Sequence, residues 1–124
     1  MSEADDRYAP PPLPGESLLD LDDYLAMQRV IGDSTRYRIL TALLRNGESS
    51  ASALADALDV PSNRLHYHLD TLQDVGLVQN RKRKDRGENG VHSYYVATGL
   101  AETLLEHGVA ELISRERELL DRYA

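Results

Sequence analysis

Apolar residues recur every three or four positions between residue 17 and about residue 75, a spacing that predicts successive amphipathic helices. The first helix is expected to begin at Ser17, whose hydroxyl can cap it. Its stripe consists of Leu18, Leu21, Leu25 and Val30. The run Gly32-Asp33-Ser34 predicts a break and a new cap, and a second helix then continues to about Arg45. The second stripe consists of Ile39, Leu40, Leu43 and Leu44.

Two further helices are predicted after Asn46-Gly47, a pair typical of a helix end. Ser49 and Ser50 are candidate caps for a short helix with apolar positions Ala53, Leu54, Ala57 and Leu58. The turn Asp59-Val60-Pro61 separates it from a helix that begins at Ser62 and ends near Gly76. In this helix the leucines face inward together: Leu65, Leu69 and Leu72. A turn of this length fits a helix-turn-helix unit.

After Gly76 the pattern changes to that of two strands, over residues 77–83 and 91–96. Their polar connection closes with Asn89-Gly90, a strong hairpin signal. A final helix is expected from Thr98 to the C-terminus, with apolar residues near heptad spacing: Leu105, Val109, Leu112, Leu119 and Tyr123. The fold class is therefore predicted as mainly α with a small β-hairpin (α+β), in the order of a winged helix-turn-helix with an extra N-terminal and an extra C-terminal helix.

Three segments follow from this order. Residues 1–16 combine acids with prolines, lack apolar periodicity, and are expected to form a disordered tail. Residues 17–97 are the predicted winged helix-turn-helix domain, with a recognition helix at about 62–75 and a wing at about 77–96. Residues 98–124 are the predicted C-terminal dimerisation helix.

The net charge of −7 is unusual for a DNA-binding domain, which is typically basic. Its distribution changes the picture, because residues 61–96 hold six bases against four acids and are the one positive region. Twelve arginines but only two lysines stand beside twenty-one acids, a composition that resembles proteins of extreme halophiles and predicts a haloarchaeal source. An acidic protein from a GC-rich genome is the alternative.

The absence of cysteine excludes disulfides and thiolate metal sites. No run approaches the roughly 18 apolar residues of a membrane helix, and the acidic start does not resemble a signal peptide. We therefore expect a soluble, cytoplasmic protein.

Three runs carry a resemblance to one family. The run Gly32-Asp33-Ser34-Thr35-Arg36-Tyr37-Arg38-Ile39-Leu40 resembles the opening of ArsR-type winged helix-turn-helix regulators. The run from Leu54 to Ser62 resembles their first motif helix and turn, and His66-Tyr67-His68-Leu69 followed by Val75-Gly76-Leu77-Val78 resembles the end of their recognition helix and the entry to the wing. The resemblance covers about residues 28–97 and implies a DNA-binding transcriptional regulator without enzymatic activity.

The inward leucines define which side chains of the recognition helix can reach DNA. At about 100° per residue, Asn63 and Tyr67 point outward and Arg64 and His66 lie on the flanks, with Ser62 at the N-terminus that enters the major groove. Asn63 can pair with adenine, Arg64 with guanine or phosphate, and Tyr67 or His66 with phosphate or base edges.

The predicted wing concentrates positive charge. Its bases are Arg81, Lys82, Arg83, Lys84 and Arg86, which a hairpin would project toward the DNA backbone or minor groove. Asp70 and Asp74 also point outward on the recognition helix, and Asp74 lies too far along the helix to matter. The Asp70 carboxylate either is repelled by phosphates, which opposes binding, or accepts a hydrogen bond from cytosine N4.

Metal and catalytic sites are not indicated. His66 and His68 point in different directions, His68 is expected to pack partly buried, and His92 belongs to a strand. His107 and Glu111 are four residues apart on a helix, which is too few ligands for a metal site. No nucleophile elbow, phosphate loop or paired acidic motif is present. We expect no metal, no cofactor and no catalysis.

The last helix either packs on the domain or pairs with a second copy through Leu105, Val109, Leu112, Leu119 and Tyr123. A homodimer is expected, because palindromic DNA sites favour two-fold symmetry. Two other functions stay open. One is a winged-helix module that contacts the transcription machinery without reading DNA, which the net charge and Asp70 favour. The other is a regulator that responds to an effector.

Overall fold

The computed structural model describes residues 9–15, 17–84 and 92–121 of the 124-residue chain. Within these residues the elements follow in this order: α1 (Leu21–Val30), α2 (Ser34–Asn46), α3 (Ala51–Leu58), α4 (Ser62–Asp74), β1 (Val78–Arg83), β2 (His92–Ala97), α5 (Gly99–Glu106), α6 (Val109–Ser114) and α7 (Glu116–Asp121). The sequence-based fold class is confirmed: the chain is a winged helix-turn-helix, mostly helical with one antiparallel hairpin.

The hairpin is anchored to the helical part of the domain. Strands β1 and β2 pair from Val78 opposite Ala97 to Arg83 opposite His92. Tyr95 of β2 also exchanges two backbone hydrogen bonds with Ser49 in the loop between α2 and α3, at 3.1 and 2.8 Å. The ladder therefore joins the two strands of the wing, and this bridge joins the wing to the loop before α3.

One core unites the helices and the hairpin. The apolar side chains buried in it are Met27, Ile39, Leu40, Leu43, Leu54, Leu65, Leu69, Leu72, Leu77, Val78, Tyr95, Ala101 and Leu105. The three inward leucines predicted for α4 are all fully buried. By contrast Leu44, Ala53 and Ala57, which the periodicity placed on apolar stripes, are exposed. The apolar stripes of α2 and α3 are therefore narrower than predicted.

The first helix begins later than predicted. Asp20, not Ser17, is its N-cap: the Asp20 carboxylate accepts from the Asp23 N–H and the Asp23 carboxylate accepts from the Asp20 N–H, each at 2.9 Å. This reciprocal capping box satisfies two backbone N–H groups at the start of α1. Leu18 therefore lies outside the helix and is 97% exposed.

The C-terminal region is not the single helix that was predicted. The helical conformation is interrupted at Gly108, between α5 and α6, and again at Arg115, between α6 and α7. A Cβ atom at Gly108 would lie 2.6 Å from the backbone oxygen of Leu104, so only glycine fits this close approach. Tyr123 lies outside the described residues.

The turn between α3 and α4 depends on Asp59, which adopts a left-handed conformation with φ 54° and ψ 51°. Replacing Asp59 with glycine is expected to preserve stability, because glycine adopts this conformation without steric cost. Asp59→Val should lower the free energy of unfolding by roughly 1–2 kcal/mol. Urea unfolding followed by circular dichroism measures both.

The matched control is Asp56→Val, which removes the same charge and adds the same side chain at an exposed position with ordinary helical geometry. Equal losses for Asp56→Val and Asp59→Val would contradict a special role for the backbone at Asp59.

Candidate nucleic-acid interface

Helix α4 presents its first turns to solvent as the sequence predicts. Because its leucines are buried, the five proposed contact residues are all exposed: Ser62, Asn63, Arg64, His66 and Tyr67. Tyr67 is 63% exposed, a large value for an aromatic side chain. The N-cap is Pro61, which gives no side-chain hydrogen bond, so the first-turn N–H groups have no side-chain cap. Such N–H groups are suited to bind a phosphate.

The wing carries exposed bases on both faces of the hairpin. Arg81, Lys82 and Arg83 lie in β1 opposite Tyr94, Ser93 and His92, and Lys84 follows directly. Since successive strand residues point to opposite faces, Arg81 and Arg83 share one face while Lys82 lies on the other. Arg86, the fifth predicted wing base, is outside the described residues.

Arg83 is engaged within the protein. Its guanidinium forms an ion pair with Glu48, in the loop between α2 and α3, and lies 4.7 Å from the centroid of the Tyr94 ring. Glu48 is 35 residues away along the chain and belongs to no motif, so no local signal pointed to it. The charge of Arg83 is thus partly balanced by Glu48.

His68 lies on the buried side of α4 and is 7% exposed. Its Nδ1 atom is 3.1 Å from Nη1 of Arg36 on α2, and its ring packs edge-on against that of Tyr67. Burial is the largest cause that lowers the pKa of His68, and the charges of Arg36 and Arg64 act in the same direction, while Asp33 opposes them. The packing role predicted for His68 is present, but its arginine partner was not foreseen.

Asp33, the N-cap of α2, belongs to the same cluster. Its carboxylate accepts a hydrogen bond from the Arg36 backbone N–H at 3.0 Å. This hydrogen bond is the largest cause that lowers the pKa of the Asp33 carboxyl; burial partly opposes it, and the charge of Arg36 lowers the pKa further. The carboxylate therefore stays ionised beside the two bases.

Asp70 is exposed in the second half of α4. Its charge helps to raise the pKa of Tyr95 on β2, after the larger effect of burial of that phenol. Asp74, in the last turn, is exposed. Asp70 and Asp74 thus lie further along α4 than Asn63 and Arg64.

An apolar groove lies between α1 and α5, on another part of the surface. It has a volume of about 330 Å³ and is lined by Leu21, Tyr24, Leu25, Met27, Gln28, Leu100, Thr103 and Leu104. Four of the large side chains in this lining (Leu21, Tyr24, Leu25 and Leu100) are each more than a third exposed. An apolar patch of this kind is typical of an interaction surface.

The residues predicted for a dimer interface differ in their exposure in the structure. Leu105 is buried in the core of its own domain, so its side chain is already used there. Val109 and Leu112 are exposed, and Leu119 is half-buried. The breaks at Gly108 and Arg115 disrupt the heptad spacing that linked these positions.

Among the described residues, no three histidine, aspartate or glutamate side chains come together as a metal site. None of the helices described is long and apolar enough to cross a membrane.

Comparison with known sequences points to a helix-turn-helix. A family model for a helix-turn-helix domain matches residues 31–80, from the end of α1 into β1. The chain is also similar to an uncharacterized HTH-type transcriptional regulator from Methanocaldococcus jannaschii, with 35% identity over 54 residues. This match covers 44% of the chain and 61% of that protein, so it spans about three fifths of the relative's length.

Several solved structures are also similar to this chain. The homodimeric winged helix-turn-helix DNA-binding domain of a possible ArsR-family transcriptional regulator from Mycobacterium bovis is 26% identical, with a TM-score of 0.60, over 77% of this chain and 85% of that one. An ArsR-like transcriptional regulator from Rhodococcus sp. RHA1 is 29% identical, with a TM-score of 0.53, over 83% and 93%. A MarR-family regulator from Enterococcus faecalis V583 has a TM-score of 0.64 over 89% and 97%, and at 16% identity shows the fold alone.

Proposed function

We propose that this chain is a sequence-specific regulator of transcription that binds double-stranded DNA as a homodimer. The observation that carries the proposal is the exposed N-terminal half of α4, in a winged helix-turn-helix whose neighbouring hairpin holds the basic residues. A regulator from Methanocaldococcus jannaschii and a homodimeric DNA-binding domain from Mycobacterium bovis, both similar to this chain, support it.

The proposed contacts fall into two groups. On α4, Asn63 and Arg64 discriminate between bases in the major groove, and Ser62, His66 and Tyr67 contact phosphate or base edges. On the wing, the backbone or minor groove is contacted by Arg81, Lys82, Lys84 and Arg86. Arg83 was predicted to belong to this second group. Because its guanidinium is paired with Glu48 and placed over Tyr94, we assign it to fixing the wing rather than to a primary phosphate contact.

The groove between α1 and α5 is the proposed centre of the dimer interface. Its apolar side chains would be covered by the same surface of a second copy, as a two-fold axis requires. Val109 and Leu112 remain candidates for further contacts, since both are exposed. The role of Leu119 and Tyr123 in the dimer stays a prediction.

A second function is favoured by one specific observation, the net charge of −7. A winged helix with an acidic surface could bind a protein of the transcription machinery without reading DNA. The two functions differ in what the wing bases do, because neutralising them would remove DNA binding but leave such a protein contact in place.

The deciding experiment is binding of the full chain to the DNA upstream of its own gene, with competitor DNA, from low to molar salt. We expect saturable binding that survives competitor DNA. Replacing Arg64 with alanine should weaken this binding and should remove about 1–3 kcal/mol of discrimination at the one base that Arg64 contacts. In the triple variant Arg81→Gln, Lys82→Gln, Lys84→Gln the slope of log affinity against log salt should fall by about 0.9 for each phosphate that the wing no longer neutralises.

The matched control removes three positive charges elsewhere, in Arg29→Gln, Arg45→Gln, Arg117→Gln, all at exposed positions. Its salt slope should stay close to that of the wild type. If the wild type never prefers the upstream DNA to competitor, the regulator proposal fails and the protein-contact function takes its place. The salt series also tests the predicted halophilic source, because binding that persists at molar salt, where the Debye length is about 3 Å, must rest on short-range contacts.

A further inference from the structure

One arginine connects the recognition helix to the two helices that precede the helix-turn-helix. Nε of Arg36 donates a hydrogen bond to the backbone oxygen of Val30, the last residue of α1, at 2.6 Å. Nη1 of the same guanidinium is 3.1 Å from Nδ1 of His68 on α4. Arg36 itself belongs to the first turn of α2, whose N-cap is Asp33. A single side chain thus contacts both α1 and α4.

The contact with Arg36 specifies the state of the His68 ring. A guanidinium has only donors, so Nδ1 of His68 must be the acceptor, and the ring must be neutral with its proton on Nε2. A protonated ring would carry N–H groups at both nitrogens and would set a donor and a positive charge against the guanidinium. The contact therefore exists only when His68 is neutral.

The charges around His68 favour that neutral state. Arg36 from α2 and Arg64 from α4 both lower the pKa of His68, as does burial, and Asp33 at the start of α2 partly offsets them. The neighbouring ring is that of Tyr67 on α4, at a centroid distance of 5.3 Å. His68 is thus buried between two positive side chains and one negative one.

We propose that Arg36 is a positioning residue, which holds the recognition helix against the α1–α2 junction through neutral His68 and so sets the DNA affinity. This inference rests on the proposed function. His68 lies between Tyr67 and Leu69, one turn beyond Arg64, so a displacement of His68 moves the segment that presents the proposed DNA contacts. Protonation of His68 breaks the contact and weakens specific binding at acidic pH.

Two other histidines, His66 on α4 and His92 on the wing, lie on the proposed DNA-facing surface. Comparing wild type with His68→Gln cancels their effect, because both proteins carry them. Glutamine at position 68 can still accept a hydrogen bond from Arg36 through its amide oxygen, and it does not titrate.

The first test needs no DNA. Histidine ring signals are titrated by NMR in the wild type, in Arg36→Gln and in a matched control, Arg45→Gln, which removes an exposed charge from the same helix. The His68 signal, assigned by its disappearance in His68→Gln, is expected to titrate below the ordinary 6.5 in the wild type. Its midpoint should rise in Arg36→Gln and stay unchanged in Arg45→Gln. An equal midpoint in all three proteins overturns the proposal.

The second test measures DNA affinity at pH about 7.5 and about 5.5, on the DNA bound in the experiment above. The ratio of wild-type affinity to His68→Gln affinity should be lower at the acidic pH. The fall should be about tenfold for each unit by which the pKa of His68 differs between the free and the DNA-bound protein. His107→Gln, an exposed histidine outside the proposed interface, should follow the wild type. Arg36→Lys should bind more weakly at both pH values, because one ammonium cannot reproduce the guanidinium fork.

The outcomes separate the two proposals. A constant ratio of wild-type to His68→Gln affinity across pH overturns the role of Arg36 and His68 while leaving the regulator function intact. Absence of specific binding by every protein at every pH contradicts the proposed function and any effect on affinity, and the NMR titration still decides whether Arg36 holds a neutral His68.

Discussion

Replacing Leu25 with aspartate is expected to convert the proposed dimer to a monomer and to lower the affinity for a two-half-site operator by on the order of 10²–10⁴-fold. Leu25 lines the groove between α1 and α5 and is 38% exposed in the isolated chain. A carboxylate there would have to lose its hydration in the dimer without a partner, which is strongly unfavourable. In the monomer it would remain in contact with water.

The large factor arises because two linked recognition helices bind as one unit. Once the first half-site is occupied, the second binding event is intramolecular, and separation of the protomers removes this advantage. Sedimentation equilibrium gives the oligomeric state, and fluorescence anisotropy with paired and single half-sites gives the affinity. Affinity for the single half-site should change much less than affinity for the pair.

Arg29→Gln is the matched control for this change, because it shifts the net charge by the same amount on the same helix but lies outside the groove. It should remain dimeric. A Leu25→Asp protein that keeps its helical circular dichroism and still sediments as a dimer would move the interface elsewhere, with Val109 and Leu112 the next surface to test.

Leu69→Ala is expected to lower the free energy of unfolding by about 2–5 kcal/mol. Leu69 is fully buried on α4, in the core that joins the helices to the hairpin, and its removal leaves a cavity that rigid neighbours can only partly fill. A protein of this size has a total stability of about 5–15 kcal/mol, so such a loss can unfold it near body temperature.

Chemical denaturation monitored by circular dichroism measures this loss, and Leu18→Ala is the matched control. Leu18 is 97% exposed, so the same deletion there should change stability by less than about 0.5 kcal/mol. Similar losses at positions 18 and 69 would be incompatible with the core described above.

The central helices were predictable because their signals are local. Asp33 is the N-cap of α2, Gly47 ends that helix with a φ of 82°, and Ser50 is the N-cap of α3. Each of these residues lies next to the apolar stripe from which the helix was predicted. The start of α1 was missed because Ser17 and Asp20 are both good caps and each is followed by an acid three residues later, so the local pattern does not distinguish them; the structure uses Asp20 with Asp23. The break at Gly108 was missed because apolar spacing continues across it.

In the candidate site too, features that depend on local sequence were predictable and contacts between distant residues were not. The exposure of Asn63, Arg64 and Tyr67 followed from helical geometry and was predicted. The contacts between Arg83 and Glu48, and between Arg36 and His68, join residues 35 and 32 positions apart. Pairings at that range depend on how the elements pack together, and local periodicity carries no information about them.

The two backbone hydrogen bonds between Ser49 and Tyr95 have a consequence for the shape of an operator. They join the hairpin to the loop that leads into α3, and α3 packs against α4, so the structure defines the position of the wing relative to the recognition helix. Under the proposed function, each protomer therefore fixes the distance between the base pairs that its recognition helix contacts and the flanking DNA backbone that its wing contacts. An inserted base pair within a half-site should abolish recognition, whereas the spacing between half-sites is governed by the dimer.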